Sequence, residues 1–257
     1  MVSGCRNRLM GNSYKLCKFA LQILYMKFGV VVFPGSNCDR DMIDALQNDL
    51  HQEVIVLWHK DRDLSMFNTK DCIVLPGGFS FGDYLRCGAI ARFSPMMQSV
   101  IEFARSGGRV LGICNGFQIL CESGLLPGVL LRNSNMQFVC KNIFITNEND
   151  AARKVLKIPV AHGEGRYFAD DKILNELIYE EQVIYRYCNE EGLFDKDYSP
   201  NGSTYNIAGI CNKERNVFGM MPHPERACST MLGNIDGRQV FYDLFSINKV
   251  KKTLEAA

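Results

Sequence analysis

Short runs of consecutive apolar residues alternate with amphipathic stretches through the first half of the chain. Four apolar runs have the length and composition of strands buried on both faces: residues 28–33, 54–58, 72–75 and 109–113. Residues 39–50 and 95–105 have helical spacing. Strands that alternate with helices form an open, mostly parallel sheet with helices on both faces. The pattern therefore predicts an α/β fold.

Beyond Pro127 the pattern becomes more antiparallel in character. Five short strands are predicted there, at residues 138–146, 158–161, 182–187, 207–211 and 217–221. Residues 171–181 and 239–249 have helical spacing, and residues 190–202 are predicted to be a surface loop. We therefore expect one domain, residues 26–257, in which a few antiparallel strands extend the parallel sheet.

Residues 1–25 differ from the rest of the chain. They include basic residues but no Asp or Glu, and residues 19–25 are mostly apolar. A secretory signal would need a longer apolar core than Gln22 permits, and a transit peptide fits the charge but little else. We expect an extension upstream of a true start at Met26, disordered or absent from the working protein.

Charge and cysteine content argue against several classes of function. The chain has 29 basic and 28 acidic residues, so nothing indicates binding to nucleic acid or to an anionic membrane. No stretch approaches the ~20 apolar residues of a membrane span. The 11 cysteines are odd in number and lack the spacing of a metal site. We expect a reduced, cytoplasmic protein without bound metal.

The candidate nucleophile is Cys114, which lies where strand spacing changes to helical spacing. Residues 110–113 are of strand type and residues 117–120 continue as a helix, so a sharp turn separates them. Gly112 and Gly116 flank the cysteine, as a close crossing of strand and helix requires. Unpaired N–H groups at the helix start would favour the thiolate. The alternative is an inert cysteine buried in a tight turn.

A cysteine nucleophile needs a base, and four histidines are available: His51, His59, His162 and His223. The first two lie in polar surroundings and are expected at the surface. The other two each precede a glutamate by two residues, Glu164 or Glu225, which in extended backbone could face the imidazole. Only His223 is held extended by a following proline. We predict His223 as the base and Glu225 as its orienting partner; a histidine packed at a strand end is the alternative.

Acyl chemistry also needs hydrogen-bond donors for the developing oxyanion. The backbone N–H of Asn115, at the predicted helix start, is one candidate. The pair Gly77 and Gly78, at a neighbouring strand end, is the other, because glycine lets the backbone approach a substrate closely. An ordinary turn between strand and helix is the alternative explanation of that pair.

Five separated motifs give the chain a specific resemblance. They are FPGSNCD at residues 33–39, LPGGFSFGDYLRCGA at 75–89, GICNGFQ at 112–118, HGEGRY at 162–167 and PHPE at 222–225. Together they resemble the class I, triad-type glutamine amidotransferases, which have a flavodoxin-like fold, and among them the glutaminase subunits of phosphoribosylformylglycinamidine synthase. The resemblance spans about residues 26–244. Residues 1–25 have no counterpart, and Cys87 stands where some members carry another small residue.

The resemblance implies a role for each matching residue. Cys114 would attack the side-chain amide of glutamine, His223 would protonate the departing ammonia and later activate water, and Glu225 would hold His223. Gln118 and the loop of Gly77 and Gly78 would help to form the glutamine pocket and the oxyanion hole.

The ammonia would be used by another polypeptide, because the chain contains no GxxxxGK[ST] phosphate-binding loop. The resemblance implies a synthetase subunit that uses ATP and magnesium, together with a small third subunit, to make formylglycinamidine ribonucleotide in purine biosynthesis. No cofactor is expected in this chain.

Three other functions stay open at this point. A cysteine peptidase or other hydrolase could use the same turn, because the turn does not specify the acyl group. A flavodoxin-like phosphate binder could use residues 34–39 as its cradle, with Cys114 serving only in packing. An inactive regulatory homologue is the third, although all three triad positions are present.

Overall fold

The computed structural model describes residues 26–147, 149 and 153–254, with the backbone alone for residues 246–254. The expectation for residues 1–25 lies outside the described residues. The strands are β1 (Lys27–Val32), β2 (Glu53–Trp58), β3 (Cys72–Leu75), β4 (Arg109–Ile113), β5 (Val129–Leu131), β6 (Val139–Asn147), β7 (Val155–His162), β8 (Arg166–Phe168), β9 (Val183–Cys188), β10 (Ile207–Cys211) and β11 (Val217–Met220).

The α-helices pack their apolar residues into a core shared with the sheet. They are α1 (Asp39–Asp44), α2 (Pro95–Arg105), α3 (Asn115–Glu122), α4 (Asp171–Tyr179) and α5 (Asp236–Leu254). Helix α2 begins at the side chain of Ser94, which accepts from the N–H of Met97, and α4 begins at Asp170 in the same way. Within the described ranges, no helix is long and apolar enough to cross a bilayer.

Nine strands form one sheet in the order β2-β1-β3-β4-β11-β10-β9-β6-β7. The five strands from β2 to β11 are parallel to one another, and the remaining pairs are antiparallel. The predicted α/β class, with a parallel sheet extended by antiparallel strands, is confirmed. A second, two-stranded sheet of β5 and β8 was not predicted; its strands have three residues each, too few for a periodic signal.

The grouping of residues 217–221 with the antiparallel strands is wrong in one respect. Strand β11 is antiparallel to β10 but parallel to β4, and it joins the two halves of the sheet. All four of its residues are buried, which is the pattern of a strand covered on both faces. The short connection between β10 and β11 indicates only their antiparallel pairing, so the sequence gives no sign of the parallel pairing between β11 and β4.

Two further predictions need correction in detail. The predicted helix 39–50 ends as an α-helix at Asp44 and continues as a π-helix, Ala45–Asp49. The predicted surface loop 190–202 is exposed for most of its length, but its Asn201 is fully buried. The Asn201 amide donates to the carbonyl of Gly165 at 2.7 Å, so this end of the loop supports the motif at residues 162–167.

His59 is buried, not exposed as predicted, with 5% of its surface accessible. Its ring meets Trp58 and Phe81 edge to face, at centroid distances of 4.6 and 5.3 Å. The polar residues that follow it, Lys60 and Asp61, gave the misleading signal. Desolvation lowers the pKa of His59, with a further lowering from Lys60.

Candidate active site

The predicted site residues follow four parallel strands and lie at the carboxyl-terminal ends of these strands. Strands β1, β3, β4 and β11 run parallel, so the segments that follow them emerge on the same side. These segments carry Cys38, Gly77 and Gly78, Cys114 and His223. The parallel pairing of β11 with β4 brings the fourth segment to the other three.

Cys114 lies at a strained turn between β4 and α3. Its backbone has φ 52° and ψ −104°, outside the regions that non-glycine residues favour. Its N–H donates to the carbonyl of Met220 at 2.8 Å. A Cβ on Gly112 would lie 2.6 Å from the carbonyl of Gly116, and one on Gly116 would overlap the carbonyl of Leu75. The two flanking glycines are therefore required by the close crossing of α3 over β3 and β4.

His223 and Glu225 form a buried pair. The Nδ1 of His223 lies 2.6 Å from Oε1 of Glu225, and the side chains are 1% and 0% exposed. The backbone N–H of His223 donates to the carbonyl of Pro159 at 2.8 Å, which fixes the start of the turn. The predicted continuous extended backbone is wrong: residues 224–227 form a 3₁₀ turn, and this turn brings the carboxylate under the ring.

The charge state of His223 follows from its neighbours. Burial by itself lowers the pKa, but the Glu225 carboxylate and the Cys114 sulfur together outweigh burial and hold the pKa of His223 well above its ordinary value. The side chain of His223 also interacts with the sulfurs of Cys114 and Cys38. The arrangement favours the imidazolium form of His223.

His162 lies in a different environment. Its Nδ1 is 3.1 Å from the Asn133 side-chain oxygen, and the Asn201 amide nitrogen is 3.5 Å from its Nε2. Burial, with a contribution from the positive charge of His223, lowers the pKa of His162 to about 4. Its ring therefore stays neutral and holds two asparagines in place. The Glu164 carboxylate lies instead near Asp83 and Cys87, and its charge adds to the effect of burial that raises the pKa of both groups.

The loop after β3 is fastened to the loop after β1. The N–H of Phe79 donates to the carbonyl of Gly35 at 3.1 Å, and Ser36 forms a bridge with Gly78. Gly78 has φ +138°, and a Cβ there would lie 2.8 Å from the backbone nitrogen of Asn37. Only glycine fits this position without strain.

Asn115 and Gln118 connect this loop to the nucleophile. The Asn115 side-chain oxygen accepts from the N–H of Ser80 at 3.2 Å, and its amide donates to the Gln118 oxygen at 2.9 Å. The Gln118 amide in turn donates to the carbonyl of Glu164 at 2.6 Å. The side chains of the two predicted pocket residues thus hold the loops around Cys114 in register.

Gly77 lies where the reactive side chains meet. A methyl group there would be 2.7 Å from Cε1 of His223, 3.1 Å from Sγ of Cys38 and 3.4 Å from Cβ of Cys114. Any side chain at this position would fill the space between nucleophile and base. The glycine keeps that space open.

A cavity of about 220 Å³ opens onto Cys114. Its wall combines apolar and charged groups, including Phe79, Asp83, Phe138, Glu164 and Arg226. The wall thus carries acidic groups and a guanidinium as well as Cys114, a combination that suits a small zwitterion.

Sequence reasoning missed several residues of the site. Cys38 was read only as part of a loop, yet it faces His223 in the cavity wall. Arg226 donates to Cys38 Sγ at 2.9 Å and to Asp41 Oδ2 at 3.0 Å. Asp83 was not singled out, although it lies beside Cys87 in the wall. The sequence did offer one signal for Arg226, because this residue directly follows the predicted site residue Glu225.

Comparison with known proteins gives a consistent result. The family described as CobB/CobQ-like glutamine amidotransferase domain matches residues 26–244. The chain is 55% identical over 223 residues to phosphoribosylformylglycinamidine synthase subunit PurQ of Moorella thermoacetica, covering 84% of this chain and 93% of the relative. The subunit of the same name from Gloeobacter violaceus is 52% identical over 227 residues, covering 85% and 97%.

A solved structure is similar over nearly its whole length. A chain in the structure of PurLQS from Thermotoga maritima matches with a TM-score of 0.74 and 39% identity. The match covers 87% of this chain and 99% of that chain.

The different surroundings of the two histidines predict a pH effect on stability. The pKa of His162 is about 4 in the folded protein and ~6.5 when unfolded, so the unfolded chain binds more protons between these values. Its contribution to the free energy of unfolding should fall by about 3 kcal/mol as the pH falls from 6.5 to 4. His162→Gln should flatten this acid limb, measured by urea unfolding at a series of pH values.

His51→Gln, which removes an exposed imidazole, is the matched control. An acid limb equally steep in His162→Gln and in the unaltered protein would contradict the assignment of His162 as a buried neutral group.

Proposed function

This chain belongs to the CobB/CobQ-like glutamine amidotransferase family and is a glutaminase subunit of phosphoribosylformylglycinamidine synthase; we propose that Cys114, His223 and Glu225 carry its chemistry. It works in a complex with a synthetase subunit and small subunits in purine biosynthesis. The observation that carries the assignment of residues is the buried His223–Glu225 pair beside a cysteine on a strained turn.

In the proposed reaction, the Cys114 thiolate attacks the side-chain amide carbon of glutamine. The C–N bond then breaks, and His223 gives its proton to the nitrogen as ammonia leaves. A glutamyl thioester remains on Cys114. Neutral His223 next takes a proton from water, the hydroxide equivalent attacks the thioester, and glutamate leaves as the thiolate returns. Glu225 holds the ring at Nδ1 and stabilises each imidazolium.

The oxyanion formed in both steps needs fixed donors. We assign this role to the backbone N–H groups of Asn115 and of the Gly77–Gly78 loop, since both segments border Cys114. Gln118 contributes to the glutamine pocket, whose wall it shares with Asp83 and Glu164. Metal is not needed for this chemistry, because the imidazolium supplies the proton and the N–H groups bind the charge.

The partner synthetase is proposed to bind ATP and magnesium and to use the ammonia. We also propose a cytoplasmic location, because purine synthesis needs cytosolic ATP and glutamine and because the cysteines of the described residues are free thiols.

The phosphate-binder alternative lacks an open cradle. The first part of the loop at residues 34–39 is occupied by the chain's own backbone: the Ser36 N–H donates to the Phe33 carbonyl at 3.0 Å, and a Cβ on Gly35 would overlap the carbonyl of Phe79. A phosphate would have to displace these contacts. A peptidase is disfavoured by the cavity, whose charged wall suits a free amino acid.

Cys114→Ala should abolish glutamine hydrolysis, because a methyl group cannot form the thioester. The complex should keep its synthesis of formylglycinamidine ribonucleotide when ammonium salt replaces glutamine. Glutamate release and nucleotide product are measured in parallel, with Cys140→Ala, an exposed thiol that is not part of the cavity lining, as control. Glutaminase activity retained in Cys114→Ala would exclude the proposed nucleophile.

Glu225→Gln should narrow the pH profile of glutamine hydrolysis. The amide keeps a hydrogen-bond acceptor but removes the negative charge that raises the pKa of His223. The imidazolium should then lose its proton at lower pH, so the alkaline limb of the kcat/KM profile should shift to lower pH. The loss of rate in Glu225→Gln should be smaller than the ~10²- to 10⁴-fold loss expected for His223→Ala. An unchanged alkaline limb would show that Glu225 does not control His223.

The isolated subunit should hydrolyse glutamine slowly. A glycine pair can hold a peptide in either of two orientations at little steric cost, and only one orientation aims an N–H at the oxyanion. Loss of one such donor lowers the turnover rate by roughly 10²- to 10³-fold. We propose that the assembled complex with its substrates favours the competent orientation.

The measurement is steady-state glutamate release by the subunit alone and by the complex with ATP and formylglycinamide ribonucleotide. Cys114→Ala complex gives the background rate. Equal rates for subunit and complex would show a preformed oxyanion hole and contradict this gating.

A further inference from the structure

Cys38 brings a second thiol to the proposed catalytic imidazole. Its Sγ and donor atoms of His223 and Glu225 all lie within 4.8 Å of one another. Cys38 and Cys114 also flank the same glycine, since a methyl group on Gly77 would contact both. The hydrolysis of glutamine as proposed uses only the Cys114 sulfur. The second thiol is therefore unexplained by the reaction.

The imidazole of His223 has one nitrogen that Glu225 does not occupy. Glu225 occupies Nδ1 of His223, whereas Nε2 is buried and forms no hydrogen bond to a nitrogen or oxygen atom of the described residues. The ring interacts with the sulfurs of both Cys38 and Cys114. Two thiolates and an imidazole nitrogen whose ring is held by a carboxylate are the donors that Zn²⁺ prefers.

We propose that Cys38, Cys114 and His223 Nε2 form an inhibitory binding site for a soft divalent metal ion such as Zn²⁺. The metal would displace the protons of the thiols and of the imidazolium, and its fourth position would face the cavity, which has room for water. The inhibition rests on the proposed function, because the metal occupies the nucleophile and the base together. Metal and glutamine would therefore compete.

Arg226 sets the strength of this site. Its guanidinium donates to Cys38 Sγ at 2.9 Å, so a positive charge lies beside one of the metal ligands. A cation at the site is repelled by this charge, and the hydrogen bond must weaken when the metal binds. Removing the guanidinium should tighten metal binding, a direction that loss of folding cannot produce.

Cys87 provides a matched control in the same cavity. Its thiol donates to Asp83 at 3.1 Å, and burial together with the Asp83 carboxylate raises the pKa of Cys87. A protonated thiol is a poor ligand. Cys87→Ser thus removes a cavity thiol without removing a proposed ligand.

The direct test is calorimetric titration of the metal-free, full-length subunit with Zn²⁺, in a phosphine reductant that keeps thiols reduced. Co²⁺ serves as a spectroscopic probe, because thiolate ligation produces charge-transfer absorption. We expect one ion per chain with two thiolate ligands. Cys38→Ser should raise the Kd by at least ~100-fold, Cys87→Ser should leave it unchanged, and Arg226→Met should lower it. Equal Kd values for Cys38→Ser and the unaltered protein would overturn the site.

The inhibition is tested on the synthetase complex, with each variant compared with its own metal-free rate. Zn²⁺ should raise the apparent KM for glutamine, and chelation should restore activity. Cys38→Ser should resist inhibition over the same concentrations. Noncompetitive inhibition that persists in Cys38→Ser would refute the inference. A metal-free complex that does not hydrolyse glutamine would instead refute the proposed function, and the titration of the subunit would still decide the metal site.

Discussion

The geometry of the proposed triad depends on one backbone pairing, the parallel alignment of β11 with β4 that sets Met220 opposite Ile113. Each strand delivers one reactive side chain shortly after it ends, Cys114 from β4 and His223 from β11. The Cys114 N–H donates to the carbonyl of Met220, so the strained turn is tied to the strand that carries the base. A shift of this register by one residue would turn the side chains to opposite faces. The sheet therefore fixes the distance between the proposed nucleophile and the proposed base.

The same His-x-Glu spacing occurs twice, and surroundings decide the role of each pair. At residue 223 a 3₁₀ turn places the carboxylate against the ring and raises the pKa of the histidine. At residue 162 the ring is bonded to Asn133 and Asn201, and burial lowers its pKa. The first is the proposed acid and base of the reaction. The second is a neutral scaffold behind it.

Sequence reasoning recovered the parts of the fold that have a local signal. The apolar runs at β1 to β4 and the glycines around Cys114 are visible because each depends on neighbours in the chain. The choice of His223 also followed from a local feature, the proline after it, although the turn that brings Glu225 to the ring was not the predicted one. The parallel neighbour of β11, the burial of His59 and the approach of Cys38 to His223 depend on contacts between distant segments, for which spacing along the chain gives no signal.

Strand β11 is an interior strand, yet it is among the last parts of the sheet to leave the ribosome. Until residues 217–220 are made, β4 has an open edge and α3 covers an incomplete sheet. The hairpin of β10 and β11 must then enter between β4 and β9, a pairing with high sequence separation that is slow to form. A nascent or truncated chain thus contains the proposed nucleophile before its proposed base is in place. The proposed active site is therefore completed only when the last strand joins the sheet.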